Sequence, residues 1–256
     1  VAAAYRQRAS QVRKAVHAAF FNSRDNSYVN GFPSYLAIAI MVDLPPKSLK
    51  AKVWKRLEQE ILVNRKGHFW GGITAGSFLM HTLLDNGRSD LIFEMAAKED
   101  FPSWGNMLKY GTGTLFEDWE CRGSGLHSSY LYIGSWFIEA LGGIKRPAAG
   151  YREFVIEPWI TEKGPEQVRS HYNSMYGNIV SNWRVDSGVL YLEVVIPANT
   201  TATLKLNNVL PGSVTEGECP WRDAEGVSLD FEKKDKISLT LQPGTYYFSA
   251  LMKVNK

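Results

Sequence analysis

Apolar residues recur at helical spacing through the first half of the chain and at strand spacing through the second. Over residues 2 to about 21, Ala4, Ala9, Val12, Val16, Ala19 and Phe20 alternate with Arg and Lys in a pattern that predicts a helix. Asn22-Ser23-Arg24-Asp25-Asn26-Ser27 reads as a turn. Gly31-Phe32-Pro33 opens a second helix from about Ser34 to Val42, which Pro45-Pro46 ends. Ser48 can cap a third, to about Asn64, with Val53, Leu57, Ile61 and Leu62 on one stripe. After the loop His68-Phe69-Trp70-Gly71-Gly72 a fourth is expected from Thr74 to Asp85. Asn86-Gly87 stops it, because both residues tolerate positive φ. A fifth is expected from Ser89 to about Lys98, a sixth from Phe101 to about Tyr110, and a seventh from His127 to Leu141.

Helices of this length joined by short connections are the pattern of stacked helical hairpins. They suit an α/α toroid. Seven helices fall short of the twelve that six hairpins need, and the segment Val1 to Phe21 reads as the inside of a helix with no capping residue ahead of it. The expectation is a chain that forms part of a larger barrel. The period changes after Pro147. Runs at 154–156, 179–183, 189–196, 202–206, 237–241 and 246–251 read as strands, separated by turns such as Asp186-Ser187-Gly188 and Pro243-Gly244. The fold class is then the C-terminal part of an (α/α)6 toroid over residues 1–147, followed by an antiparallel, jelly-roll-like β-sandwich over 148–256. Trp159, Trp183 and Trp221 belong to the core of that sandwich or to its edge with the helices.

Composition narrows the function classes. The 256 residues are 45% hydrophobic and 21% charged, which suits a globular protein with a sizeable core. A net charge of +3 with scattered basic residues gives no patch for nucleic acid, so no nucleic-acid partner is expected. No run of eighteen apolar residues exists, so no membrane span is expected. Cys121 and Cys219 form no CxxC pair. His17, His68, His81, His127 and His171 have no partner His at i+4, so neither a metal site nor any other cofactor is expected. No GxSxG occurs. Eight tryptophans are many for this length, and rings suit either a large core or a carbohydrate surface.

The chemistry concentrates in Gly111-Thr112-Gly113-Thr114-Leu115-Phe116-Glu117-Asp118-Trp119-Glu120, three carboxylates and two aromatics after a glycine-rich turn. Rings stack on the apolar faces of a pyranose, and a carboxylate activates water or donates a proton. The bland alternative is a solvated turn with one buried ring.

Several stretches, in order, resemble the pattern of glycoside hydrolase family 78, the α-L-rhamnosidases. They are Asp85-Asn86-Gly87-Arg88-Ser89-Asp90-Leu91, Pro102-Ser103-Trp104-Gly105-Asn106-Met107, Gly111 to Glu117, His127 nine residues before Trp136, Gly142-Gly143-Ile144, Gly150-Tyr151, Tyr176-Gly177, Trp183 and Pro197-Ala198-Asn199-Thr200-Thr201-Ala202. The resemblance runs from about Ala15 to Leu251. It implies an inverting, exo-acting glycosidase that releases terminal L-rhamnose, with Glu117 as the general base. It also implies His127 as a sugar-binding residue and Trp119 and Trp104 as stacking platforms. Trp70 lines the cleft or the core. Asp118 and Glu120 act on Glu117 through charge or face water. The family's general acid lies in an acidic motif that has no counterpart here, so the implied partners are a carbohydrate ending in rhamnose and an N-terminal remainder of the same enzyme. Thr112, Gly113, Phe116 and Leu126 depart from the family pattern. The loss of polar groups at Phe116 and Leu126 points to a substituted or unusually linked rhamnose. The competing reading is a non-catalytic carbohydrate-binding or scaffolding protein that keeps the toroid and the sandwich.

Overall fold

Helix α1, Ala2–Phe20, buries none of its residues; Tyr5, Val12 and Phe20 stand in solvent. It is a helix by composition, with seven alanines and long basic side chains that lose little freedom in a helix. In this computed structural model residues 1–110, 113–145 and 149–253 are described, and they form two compact units, Val1–Ile133 and Gly134–Lys256. Gly111, Thr112 and the expected domain junction at Pro147 and Ala148 lie outside the described residues.

In the first unit, a two-residue hairpin of β1 (Phe21–Asn22) and β2 (Ser27–Tyr28) follows α1. Asp25 accepts hydrogen bonds from the Ser27 amide and hydroxyl and closes the turn. Pro33 starts α2, Pro33–Met41, where its missing N–H costs nothing. Leu36, Ala37 and Ala39 bury the inner face of α2 against α4, Ile73–Asp85. The Thr82 hydroxyl donates to the Ala37 carbonyl at 3.1 Å and ties the two helices. Between them runs α3, Lys50–Gln59, whose Val53 and Leu57 continue into Ile61 as one buried stripe. A π turn over Glu60–Asn64 then widens the helix. There the buried Glu60 carboxylate accepts from Arg56, Asn64 and Arg65 at 2.6–3.1 Å. Helices α5, Ser89–Ala96, and α6, Trp104–Leu108, follow; Ser103 caps α6 by accepting from the Asn106 amide.

The seventh helix is shorter than its pattern predicts. Helix α7 covers only Ile133–Trp136 and passes into a π turn over Phe137–Leu141. Residues 127–132 are not helical, because their groups are used elsewhere. The His127 amide bonds the Leu115 carbonyl, and the Ser129 amide bonds the His127 ring.

The second unit is a sandwich of two sheets. Its strands are β3 (Ile144–Lys145), β4 (Glu153–Ile156), β5 (Gln167–Ser174), β6 (Gly177–Asp186), β7 (Val189–Ile196), β8 (Thr201–Asn207), β9 (Thr215–Glu216), β10 (Cys219–Pro220), β11 (Val227–Lys233), β12 (Lys236–Leu241) and β13 (Gly244–Leu251). One sheet has the order β10-β9-β13-β7-β6-β5 and the other β11-β12-β8-β4-β3. Pairing is antiparallel except between β4 and β8, which run parallel, a departure from the wholly antiparallel expectation. Period-two alternation sends Leu190, Leu192, Val194 and Ile196 of β7 inward with Ile179 and Trp183 of β6 and Phe248 of β13. Leu204 and Leu239 meet them from the second sheet. The Trp183 indole donates to the Leu141 carbonyl at 2.7 Å. Strands β5 and β11 escaped the sequence pattern. Both are edge strands with mostly polar and exposed side chains, so they carry little apolar alternation to read.

Candidate active site

The acidic, aromatic stretch is a loop folded back on itself. The Glu117 amide donates to the Ser124 carbonyl at 3.1 Å and the His127 amide to the Leu115 carbonyl at 3.0 Å. Thr114 adds a hydroxyl bond to the Gly125 carbonyl. Segments 114–117 and 124–127 therefore run side by side, and Asp118 to Gly123 form the turn that joins them. Asp118 holds that turn, its carbonyl taking the Cys121 amide and its carboxylate the Arg122 amide at 3.0 Å. Gly123 has φ +70°, and a β-carbon there would lie 2.9 Å from Glu117 Oε2. Glycine takes this turn without strain and leaves the carboxylate its place.

Glu117 is exposed, and its Oε2 faces the Ser124 amide at 3.4 Å. Asp118 and Glu120 stand near the exposed guanidinium of Arg122, at 3.8 and 3.7 Å, so a cation offsets part of their charge. His127 is half-buried. Its Nδ1 accepts from the Ser129 amide at 3.1 Å and also touches the Ser129 hydroxyl. An Nδ1 that accepts places the proton of the neutral ring on Nε2, leaving that N–H to donate outward.

Trp119 is held by rings. It stacks on Tyr130 at 3.9 Å and 25° and meets Trp104 edge-on at 5.3 Å. Trp104 is 8% exposed, packed against Phe69 at 5.1 Å, and its indole donates to the Tyr130 carbonyl at 3.2 Å. With its ring largely enclosed and its N–H satisfied, Trp104 buttresses Trp119 and shows little of its own face to solvent. Gly76 of α4 completes the cluster, since a side chain there would collide with Tyr132 and Phe69. Burial pushes the Tyr130 phenol up to about 12, helped by the charges of Asp118 and Glu120. Tyr130 therefore stays protonated at neutral pH and does not add charge beside them.

Trp119 and Trp70 line one hollow of about 410 Å³, together with Phe32, Ser34, Tyr35 and the backbone of Gly71-Gly72. Trp70 is 40% exposed, and the Arg65 guanidinium lies 4.3 Å from its ring and 4.9 Å from that of Phe32. This is a small aromatic cleft of the size that takes a compact ligand. The structure thus puts Glu117, Trp119 and His127 on one folded loop and Trp119 and Trp70 in one cleft. Phe116 turns the other way, buried against Tyr110 at 5.9 Å, while Leu126 is 79% exposed. Phe32, Arg65 and Tyr130 carry no motif that marks them, and their roles come from contacts distant in sequence. Among the described residues no group of three His, Cys, Asp or Glu side chains is placed to hold a metal. Nor is any helix long and apolar enough to cross a membrane.

Comparison with known proteins finds two family models in succession. Residues 1–141 match the bacterial alpha-L-rhamnosidase 6 hairpin glycosidase domain, and residues 143–218 match the bacterial alpha-L-rhamnosidase C-terminal domain. An alpha-L-rhamnosidase of Formosa agariphila is 28% identical over 97% of this chain and 28% of its own length. One of Streptomyces avermitilis is 28% identical over 78% of this chain and 20% of its own. The chain thus spans between a fifth and three-tenths of the curated relatives it matches. Two solved structures share the fold. The crystal structure of the Streptomyces avermitilis alpha-L-rhamnosidase complexed with L-rhamnose has a TM-score of 0.82 at 23% identity, covering 97% of this chain and 24% of that one. The alpha-L-rhamnosidase from Dictyoglumus thermophilum has a TM-score of 0.83 at 20% identity, covering 96% and 28%.

Proposed function

The chain belongs to the bacterial alpha-L-rhamnosidase 6 hairpin glycosidase family, and from that premise we propose that it carries the base-side half of the active site of an inverting, exo-acting α-L-rhamnosidase. The observation that carries this reading is the placement of Glu117. Its exposed carboxylate is set by the Ser124 amide and the Gly123 turn, two residues before the ring that walls the aromatic cleft.

In this reading a terminal L-rhamnose enters the cleft and lays its apolar face on Trp119 or Trp70. The Nε2–H of His127 donates to a ring hydroxyl. Glu117 takes a proton from a water, and that water attacks the anomeric carbon from the side opposite the leaving oxygen. A carboxylic acid from residues outside these 256 protonates the leaving oxygen. Inversion requires room for the water, so that acid lies roughly 6.5–9.5 Å from Glu117 in the whole enzyme. The exposed Leu126 beside His127 favours a glycone that carries an apolar substituent or is joined in an unusual linkage. The proposed domain organisation follows the change of sequence pattern, helical hairpins up to about residue 147 and a sandwich beyond, with the short strand Ile144–Lys145 already paired to β4 of the sandwich.

Glu117→Gln in the whole enzyme tests the assignment. The expected result is a fall in kcat of about 10²–10⁴-fold on 4-nitrophenyl α-L-rhamnoside, with KM little changed, because general-base catalysis is worth that much. Retained turnover would remove Glu117 from the mechanism. A wild-type enzyme that binds rhamnose-containing oligosaccharides without hydrolysing any would support the non-catalytic reading instead.

A further inference from the structure

The six-stranded sheet of the unit Gly134–Lys256 has one face in the core and one face turned outward. Val168, Trp183, Leu192 and Phe248 form a cross-strand row on the inner face. One residue along each strand, Arg169, Asn182, Glu193 and Tyr247 form a row on the outer face, opposite one another on β5, β6, β7 and β13. The next outer row brings Arg184 opposite Tyr191. A hollow of about 660 Å³ lies over these two rows.

A solvated sheet face is normally polar and loosely arranged. This one is arranged. The Asn182 amide is clamped at both ends, its oxygen accepting from the Ser170 amide at 3.1 Å and its nitrogen donating to Glu193 Oε2 at 2.8 Å. That bond orients the Glu193 carboxylate and leaves its second oxygen for an outside donor. The Arg169 side chain, opposite Asn182, makes neither an ion pair nor a hydrogen bond among the described residues, so its guanidinium is available to donate. Tyr247 is 58% exposed and forms one ring wall. Tyr191 forms another and is steadied by the Arg184 guanidinium, 4.1 Å from its ring centre.

A fixed carboxylate that accepts, a guanidinium that donates and an exposed ring beside them match the hydroxyls and the apolar C–H face of a pyranose. The charges nearly cancel. Arg169 and Arg184 face Glu193 and, at the end of β6, Asp186, which pairs with Arg184 at 3.2 Å. The groove therefore suits uncharged hydroxyl-bearing units better than an anionic chain. Its floor is a sheet open at both ends, so it fits internal units of a chain. We propose that this groove is a carbohydrate-binding site on the sandwich that takes a neutral stretch of an oligosaccharide, with Tyr247 as the platform and Glu193 and Arg169 as the hydroxyl-reading pair. The choice of a rhamnose-bearing chain as probe rests on the function proposed above; the site does not.

Native affinity electrophoresis of the whole enzyme, in gels containing carboxyl-reduced rhamnogalacturonan, tests it. Wild type and Glu117→Gln should both be retarded. Tyr247→Ala and Glu193→Gln should each bind about tenfold more weakly, the effect of losing a central contact, while still hydrolysing 4-nitrophenyl α-L-rhamnoside at the wild-type rate. Arg169→Ala gives a third variant at an outward position, where folding is not at risk. Loss of hydrolysis in Glu117→Gln with retardation intact separates the two sites. Equal retardation of wild type and all three groove variants, or no retardation of wild type, would overturn the proposal. So would retardation by native rhamnogalacturonan alone, since that would make the carboxylates the ligand.

Discussion

The helical unit and the sandwich both set aromatic rings beside carboxylates, and they do it by opposite means. In the helical unit the rings and Glu117 sit on an irregular loop, whose shape comes from three backbone bonds, a glycine turn and the packing of Trp119 on Tyr130 and Trp104. In the sandwich the backbone ladder does the positioning, and period two delivers Tyr247, Glu193, Asn182 and Arg169 to one face. A loop site of the first kind depends on individual supporting residues. A sheet site of the second kind keeps its backbone frame when any one surface side chain is lost, although binding falls. The same contrast runs through the charges. Glu60 in the helical unit is buried with three donors, whereas Glu193 in the sandwich is half-buried and accepts from Asn182.

The largest effects should come from the buried supports. Trp104→Ala and Trp183→Ala remove rings of equal size from the two units, and each should cost about 3–5 kcal/mol of stability. They should part on activity. Trp104→Ala leaves Trp119 without its edge contact and should lower kcat/KM per folded molecule, while Trp183→Ala should not. Denaturant titration with activity measured on the folded fraction checks this, and equal activity losses would erase the contrast. Glu60→Ala should cost a similar ~3–5 kcal/mol by removing the buried carboxylate that Arg65 pairs with and leaving Arg56 only its longer pair with Asp25 at 3.6 Å. Burial alone would raise the Glu60 pKa, but the bonds from Asn64 and Arg56 and the charges of Arg56 and Arg65 outweigh it and hold it below the ordinary 4.5. The stabilisation is therefore complete above pH 4.5 and is lost as the pH falls through the lower folded value. Glu60→Gln should flatten the fall in melting temperature below pH 4.5; an unchanged acid slope would contradict this sign.

Gly123→Ala comes next. It forces a side chain into φ +70° and against Glu117, at about 1–2 kcal/mol, and should reduce kcat more than that stability loss explains. The smallest effect is Glu193→Ala, which should change stability by about 1 kcal/mol or less, the net worth of one part-buried hydrogen bond to Asn182. A larger loss would mean that the outer sheet face is structural.

Much of this was legible in the sequence, for physical reasons that differ by element. Helices α2 to α5 bury one stripe each, so spacing revealed them to within a few residues. Helix α7 starts later than its pattern predicts because the His127 amide goes to Leu115, the Ser129 amide to the His127 ring, and Tyr130 and Tyr132 to the ring cluster. The inner strands announced themselves by alternation. Edge strands β5 and β11 did not, and the parallel β4–β8 pair is a property of topology that no local pattern encodes. At the loop, the motif singled out Glu117, Trp119 and His127 together. It said nothing of Phe32, Arg65 or Tyr130, which reach the cleft or its wall from far along the chain.

The most direct test of the central assignment is the anomeric form of the first sugar released. Proton NMR during early hydrolysis of 4-nitrophenyl α-L-rhamnoside by the whole enzyme resolves the two anomers before they equilibrate. If Glu117 activates water for direct displacement, β-L-rhamnose appears first and the α form grows in only by mutarotation. If α-L-rhamnose appears first, the configuration is retained, and the role of Glu117 as the base of a single inverting step is wrong.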